Sequence, residues 1–471
     1  MVNAGLDAGG LGAGGLDDGP DADTGSAAAG PDTEAGLNAG LDAAGPDTAG
    51  LDAAGVTAVE TAPDPIEGEL PPRTGAWADV VGQPSAVRTL SAAARAARLQ
   101  VRGAEVPPGA MTHAWLFTGP PGSGRSVAAR AFAAALQCTE SDSDPGCGEC
   151  SGCRTARSGT HADVREVVPE GLSISVSEMR SLVQAAARRP TTGHWRVVLI
   201  EDADRLTEGA GNALLKAVEE PPESTVFLLC APSDHPEDVS VTIRSRCRSV
   251  PLRTPLPGAI AEVLRERDGI EPETAEWAGA VSGGHIGRAR ALATDPQVRE
   301  RRESVLSVPR GLERFADVFT AASGLVRAAE SEATAATEER DESEKEELRT
   351  AMGAGGTGKG TAAATRGANA ALKELEKKQK SRATRSQRDA LDLALVDLAG
   401  FYRDVLVVRA GSSAPLNHPD HAGEVAAAAG EWTSESTLRR LEAVLECRSA
   451  LGRNVKPIIA LEALAAALHR G

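Results

Sequence analysis

No run of eighteen apolar residues occurs in this sequence, so nothing in it reads as a helix crossing a bilayer. The first residues carry neither a basic stretch nor a short apolar core, the two parts of a secretory leader. An even, dispersed cysteine set is also missing: of seven cysteines, four crowd between 138 and 153. That distribution argues against a disulfide framework and for metal in a reducing compartment. A cytoplasmic protein with no membrane partner is expected. Aromatic residues are absent from positions 1–73, and positive charge is almost absent there, with 14 acidic residues against Arg73 alone. The net charge of −17 comes from that tail, because the remainder holds 49 basic and 53 acidic residues. Strong bulk attraction to DNA is therefore excluded, and so is any general claim about acidic partners.

The 471 residues leave room for two or three domains. Residues 1–73 repeat a loose Ala-Gly-Leu-Asp theme with almost nothing to bury, and are expected to be disordered. From Gly75 the composition changes. Apolar strands are expected at Ala114–Phe117, Asp163–Val168, Trp195–Ile200, Thr225–Cys230 and Val250–Leu252. Helices are expected at Ser85–Leu99, Val127–Leu136, Glu178–Arg188 with Ser177 as cap, and Glu208–Glu219. Continuous apolar strands alternating with helices predict an α/β fold whose parallel sheet is covered on both faces. Residues 254–300 carry two helical patterns, and the chain is all-helical from 301. The segment 330–389 reads as a charged, flexible insertion. Its stretch Gly353–Thr361 has no strand before it, so it reads as a linker, and the basic run Lys377–Arg388 as a solvated helix face.

Between the first strand and its helix lie Gly119, Pro120, Pro121, Gly122, Ser123, Gly124, Arg125 and Ser126. Strand, glycine-rich turn and helix start are the context of a phosphate-binding loop, where curled backbone N–H groups and the helix dipole hold an anion. A tight turn without a ligand is the alternative. The pattern wants Lys at 125, and Arg is a wide planar fork where Lys is a compact charge. Glu201 and Asp202 follow the third strand, where a nucleotide hydrolase keeps an acidic pair for Mg²⁺ and water. Their order is Glu-Asp, not Asp-Glu, which moves each carboxylate by about 1.5 Å. Misplacement on that scale costs about a hundredfold in rate. A surface acidic turn is the competing reading.

Cys138, Cys147, Cys150 and Cys153 offer four thiolates in a stretch too polar to be core, which suits a closed, structural zinc site. An iron–sulfur cluster is the rival. Arg246 follows a short helix at the sheet edge. It is either a solvated arginine or a finger reaching a neighbouring subunit's γ-phosphate. Arg288 and Arg290, on a later helix, are ambiguous by themselves.

Together these residues resemble one family. Val80-Val-Gly-Gln83, the loop 119–126, the cysteine cluster, Asn212 through Pro222, Thr242 through Cys247 and Gly287-Arg288 are similar to the delta-prime subunits of the bacterial DNA polymerase III clamp loader, an AAA+ family. The likeness is strong over 75–295 and weak over 391–471. It implies an AAA+ module at 74–253 with an inserted zinc hairpin at 138–153, a helical lid at 254–300, and a C-terminal helical collar domain at 301–471. It implies Arg246 as the finger acting in trans and Arg288 as the lid's sensor arginine. Implied partners are motor gamma/tau and delta subunits in a hetero-pentamer, and through it the sliding clamp and primed DNA. Motor subunits of the family carry Gly-Lys-Thr/Ser, Asp-Glu and a polar end to the strand that is Thr225–Cys230 here. Arg125, Glu201-Asp202 and Cys230-Ala231-Pro232 depart at all three places, which favours a stator-like role with little or no ATPase of its own, ATP or another nucleotide being possible in the loop. The alternatives are an ATP-hydrolysing motor subunit and a zinc-dependent nucleic-acid binder.

Overall fold

The computed structural model describes residues 74–140, 143–352 and 361–471. The tail expected at 1–73 and the glycine-lysine stretch up to residue 360 lie outside the described residues.

Five apolar segments form strands: β1 (Ala114–Thr118), β2 (Val164–Val167), β3 (Arg196–Ile200), β4 (Thr225–Ala231) and β5 (Arg248–Pro251). They pair in parallel in the order β2-β3-β4-β1-β5. Helices α1 (Pro84–Val101), α2 (Arg125–Leu136), α3 (Ser151–Arg157), α4 (Val176–Ala186), α5 (Glu208–Glu219) and α6 (Val241–Arg244) accompany the sheet. β1 and β4 show no polar alternation because both faces are covered. Leu90, Trp115, Phe117, Phe132 and Leu228 fill one side, and Leu116, Met179, Val198, Leu214 and Phe227 the other. This is the expected parallel sheet covered on both faces, with the glycine-rich loop between β1 and α2. The carboxyl ends of β1, β3 and β4 lie side by side, where open α/β sheets bind ligands. One cap differs from expectation. Ser175, not Ser177, starts α4, because Ser175 and Glu178 satisfy each other's backbone N–H in a capping box.

Residues 254–300, expected as a lid, hold three helices, α7 (Pro257–Asp268), α8 (Pro272–Val281) and α9 (Ile286–Thr294), where two patterns were legible. The region expected as a collar follows with α10 (Pro296–Gly311), α11 (Phe315–Ala351), α12 (Thr361–Arg409), α13 (Ala422–Glu431), α14 (Ser434–Gly452) and α15 (Pro457–Arg470). Leu391, Leu395, Leu398, Tyr402 and Val405 repeat every three or four residues and enter one core with Val425, Val444 and Leu461. The segment 330–389, read as flexible, is helical through its described residues. Its charges are complementary across the α11–α12 pair. Arg382 reaches Glu344 through two bonds of 2.9 and 2.6 Å, and Gln379 donates to the Asp341 carbonyl at 2.9 Å. Among the described residues no helix is long and apolar enough to cross a membrane.

Candidate functional site

The glycine-rich loop between β1 and α2 is tightly turned, and its arginine is already committed. Gly124 caps α2 with φ of 87°, a left-handed turn that a side chain would strain. Gly122 has φ of 85°, and a Cβ there would meet the Cα of His285 at 2.7 Å, so the start of α9 rests on the loop. Gln83 explains the Val80-Val-Gly-Gln83 motif. Its Nε2 donates to the Ser123 carbonyl at 3.2 Å and to the Arg253 carbonyl at 2.5 Å, fastening the loop to the exit of β5. Arg125 turns inward, and its Nη1 donates to the Gly119 carbonyl at 2.9 Å, so the guanidinium braces the loop's own backbone.

The acidic pair is neutralised from two directions. Arg130, one turn after Ser126 on α2, pairs with both Glu166 and Glu201. Burial pushes the Glu201 carboxyl up to about 7, the neighbouring Glu166 adds to the rise, and Arg130 opposes it. Asp202 accepts from Arg385 Nη2 at 2.5 Å, with Arg205 Nε 3.8 Å away. The structure therefore brings together the loop 119–126, Glu201 and Asp202, yet each carboxylate already faces an arginine of the same chain. Cys230 is fully buried beside them, and its thiol is pushed well above the ordinary range by that burial.

Arg246 and Arg288 sit in different surroundings. Arg246 sits in the turn after α6. Its Nη1 donates to the Thr242 carbonyl at 3.0 Å and its Nη2 faces Glu219 at 2.6 Å, both side chains being well exposed. It is on the surface, free to meet another molecule. Arg288 is engaged within the chain. Its guanidinium donates to both carboxylate oxygens of Asp397 in α12, at 2.6 and 2.5 Å, in a pair under 10% exposed. A carboxylate 109 residues away thus holds it between α9 and α12. Trp277 of α8 makes a parallel tie by donating to Asp420, a carboxylate that Arg302 of α10 also engages. A cavity of about 440 Å³, lined by Arg288, Leu292, Val305, Leu325, Leu391 and Asp397, lies at this junction, away from residues 119–126.

The cysteine cluster assembles. The Sγ atoms of Cys138, Cys147, Cys150 and Cys153 lie within 4.8 Å of one another and can hold a metal ion. A tetrahedral zinc with bonds of about 2.3 Å separates its sulfurs by slightly under 4 Å. The Cys147–Cys153 sulfur distance of 3.9 Å matches that. Backbone N–H groups of Cys150 and Cys153 point at the sulfurs of Cys147 and Cys150, both at 3.4 Å, which favours thiolates. The residues present therefore fit the metal. The module is tied to the segment before α1, where Ala76 N–H donates to the Gly146 carbonyl at 2.9 Å and Trp77 Nε1 to the Pro145 carbonyl at 3.2 Å.

Residues 98–255 match the family model described as DNA polymerase III, delta subunit. A Pseudomonas aeruginosa protein named DNA polymerase III subunit delta' is 39% identical over 199 residues, covering 41% of this chain and 59% of that one. In this region the chain is similar to DNA polymerase III delta-prime subunits. The Bacillus subtilis delta' subunit is 31% identical over 198 residues, or 42% of this chain and 59% of that one. A tau subunit from the same organism is 35% identical over 170 residues, but these are only 28% of its length. The chain thus spans about 59% of the delta-prime relatives it matches. The delta-prime match stops at 255, so Arg288, Arg385 and Asp397 lie beyond it.

Sequence reasoning missed Arg130, Glu166, Arg385 and Asp397. Arg130 had a signal, since residues four apart share a helix face and Ser126 was already in the loop. Arg385 had none, because 183 residues separate it from Asp202.

Proposed function

We propose that this chain is a stator-like delta-prime subunit of a DNA polymerase III clamp loader. It binds motor gamma/tau and delta subunits in a hetero-pentamer, offers Arg246 to a neighbour's ATP, and through the complex helps load the sliding clamp onto primed DNA in the cytoplasm. The observation that carries this reading is the internal commitment of the nucleotide site. Arg125 is spent on Gly119, Glu201 on Arg130 and Asp202 on Arg385, while Arg246 stays exposed. A motor needs those groups free for phosphate, Mg²⁺ and water. Nucleotide held at 119–126 is then a passive ligand.

Restoring the lysine tests this directly. The isolated chain is expected to release no phosphate from ATP before or after Arg125→Lys, because both carboxylates stay paired. Motor-like turnover in either protein would overturn the reading.

The four cysteines supply a structural zinc site with no open position, holding the insertion between α2 and α3 in shape. Native mass spectrometry is expected to find one zinc per chain, lost in Cys150→Ser together with cooperative melting of the module. An iron–sulfur absorption band, or no metal at all, would refute it.

A further inference from the structure

The basic run at the inner end of the 330–389 insertion lies across the AAA+ module. Ser381, Arg385 and Asp389 recur every four residues, so they share one face of α12. Each meets the same small patch. A Cβ on Gly171 would lie 3.5 Å from the Ser381 Cβ. Arg385 donates to the Pro169 carbonyl and to Asp202. Asp389 accepts from Arg205 Nη2 at 3.3 Å. The patch consists of the loops leaving β2 and β3, which are knitted together by Ile174 N–H donating to the Arg205 carbonyl at 2.8 Å. The other faces of α12 are engaged as well. Arg382 holds Glu344 of α11, and Arg388 donates to the Leu451 carbonyl and to Asn454 Oδ1 at 2.8 and 2.7 Å.

We propose that the insertion acts as an intramolecular strap, in which Arg385 of α12 clamps the acidic end of β3 to the collar and holds the two domains in one arrangement. The proposal rests on the stator reading and deepens it, by naming the contact that keeps the degenerate site closed and the subunit stiff. Arg385 is the centre of the strap, since its side chain is only 17% exposed and it bonds both loops. A half-buried, hydrogen-bonded pair of this kind is worth far more than a surface one. Arg205–Asp389 is more exposed and adds little alone.

Hydrogen exchange on the full-length chain tests the strap. Arg385→Ala is expected to speed amide exchange about tenfold in two places at once, Glu170–Ile174 and Asp202–Leu206, with the same rise in residues 381–389. Arg382→Ala breaks only the α11–α12 pair and should leave the two loops unchanged, which separates the strap from general loosening of the hairpin. The exchanged pair, Asp202→Arg with Arg385→Asp, should recover most of the protection. Unaltered exchange in both loops of Arg385→Ala would overturn the strap, as would equal loosening by Arg382→Ala. The ATP assays above are independent of this, so such a result would remove the strap and leave the stator reading standing.

Discussion

Replacing Arg246 with alanine is expected to lower ATP hydrolysis at the neighbouring subunit's site by roughly a thousandfold, with assembly of the complex intact. An arginine finger acting in trans contributes about 10³ or more to turnover, because its guanidinium meets the charge that develops on the transferring phosphoryl group. Arg246 is given this role by the proposed function. It leaves a short helix whose start is capped by Ser240, next to the edge strand β5, and its tip is exposed. The bonds to Thr242 and Glu219 are surface contacts, which cost little to break. The isolated variant should therefore melt with the parent, so that lost ATPase cannot be ascribed to misfolding. Arg246→Lys should fall between the two, since lysine keeps the charge and loses the planar fork. Full DNA-stimulated ATPase in a complex carrying Arg246→Ala would end the assignment.

Arg288→Ala is expected to destabilise the lid and collar by about 3–5 kcal/mol, the usual cost of stranding one member of a buried ion pair. Asp397 would be left inside with both oxygens deprived of Arg288 Nη2. Urea unfolding followed by the collar's only tyrosine, Tyr402, and its neighbour Trp432 reads the loss. The double variant Arg288→Leu with Asp397→Leu should regain most of the stability, because two apolar side chains replace two compensating charges. A sensor arginine would behave differently. Its removal would weaken nucleotide binding and leave the urea midpoint where it was, and that outcome would return Arg288 to the phosphate site.

The sheet was legible because its strands are unbroken apolar runs ending in turn residues, and α5 because Pro221-Pro222 stops it where Glu208 starts it. The loop and the cysteine cluster were legible for a related reason: their chemistry is local, with every needed residue inside a short window. What failed to show was long-range. Arg288 is ambiguous by itself and a sensor arginine only by resemblance, and the fold alone reveals Asp397 beside it. The 330–389 segment reads as solvated because its charges come in runs, and a run of one sign carries no mark of the opposite run it will face. Glu344 and Arg382 are 38 positions apart, and nothing at either end announces the other.

The continuity of α12 has a bearing on how this protein can vary. Its 49 residues extend about 73 Å at 1.5 Å each, and one rod carries both the Arg385 contact and the collar core that begins at Leu391. A single residue gained or lost between those two points would swing everything upstream by about 100° around the axis. Lengths there are thus confined to steps that restore helical phase, three or four residues or seven. Upstream of Lys380 no such phase has to be kept with the sheet, so homologues should differ freely there and hardly at all between Ser381 and Leu391.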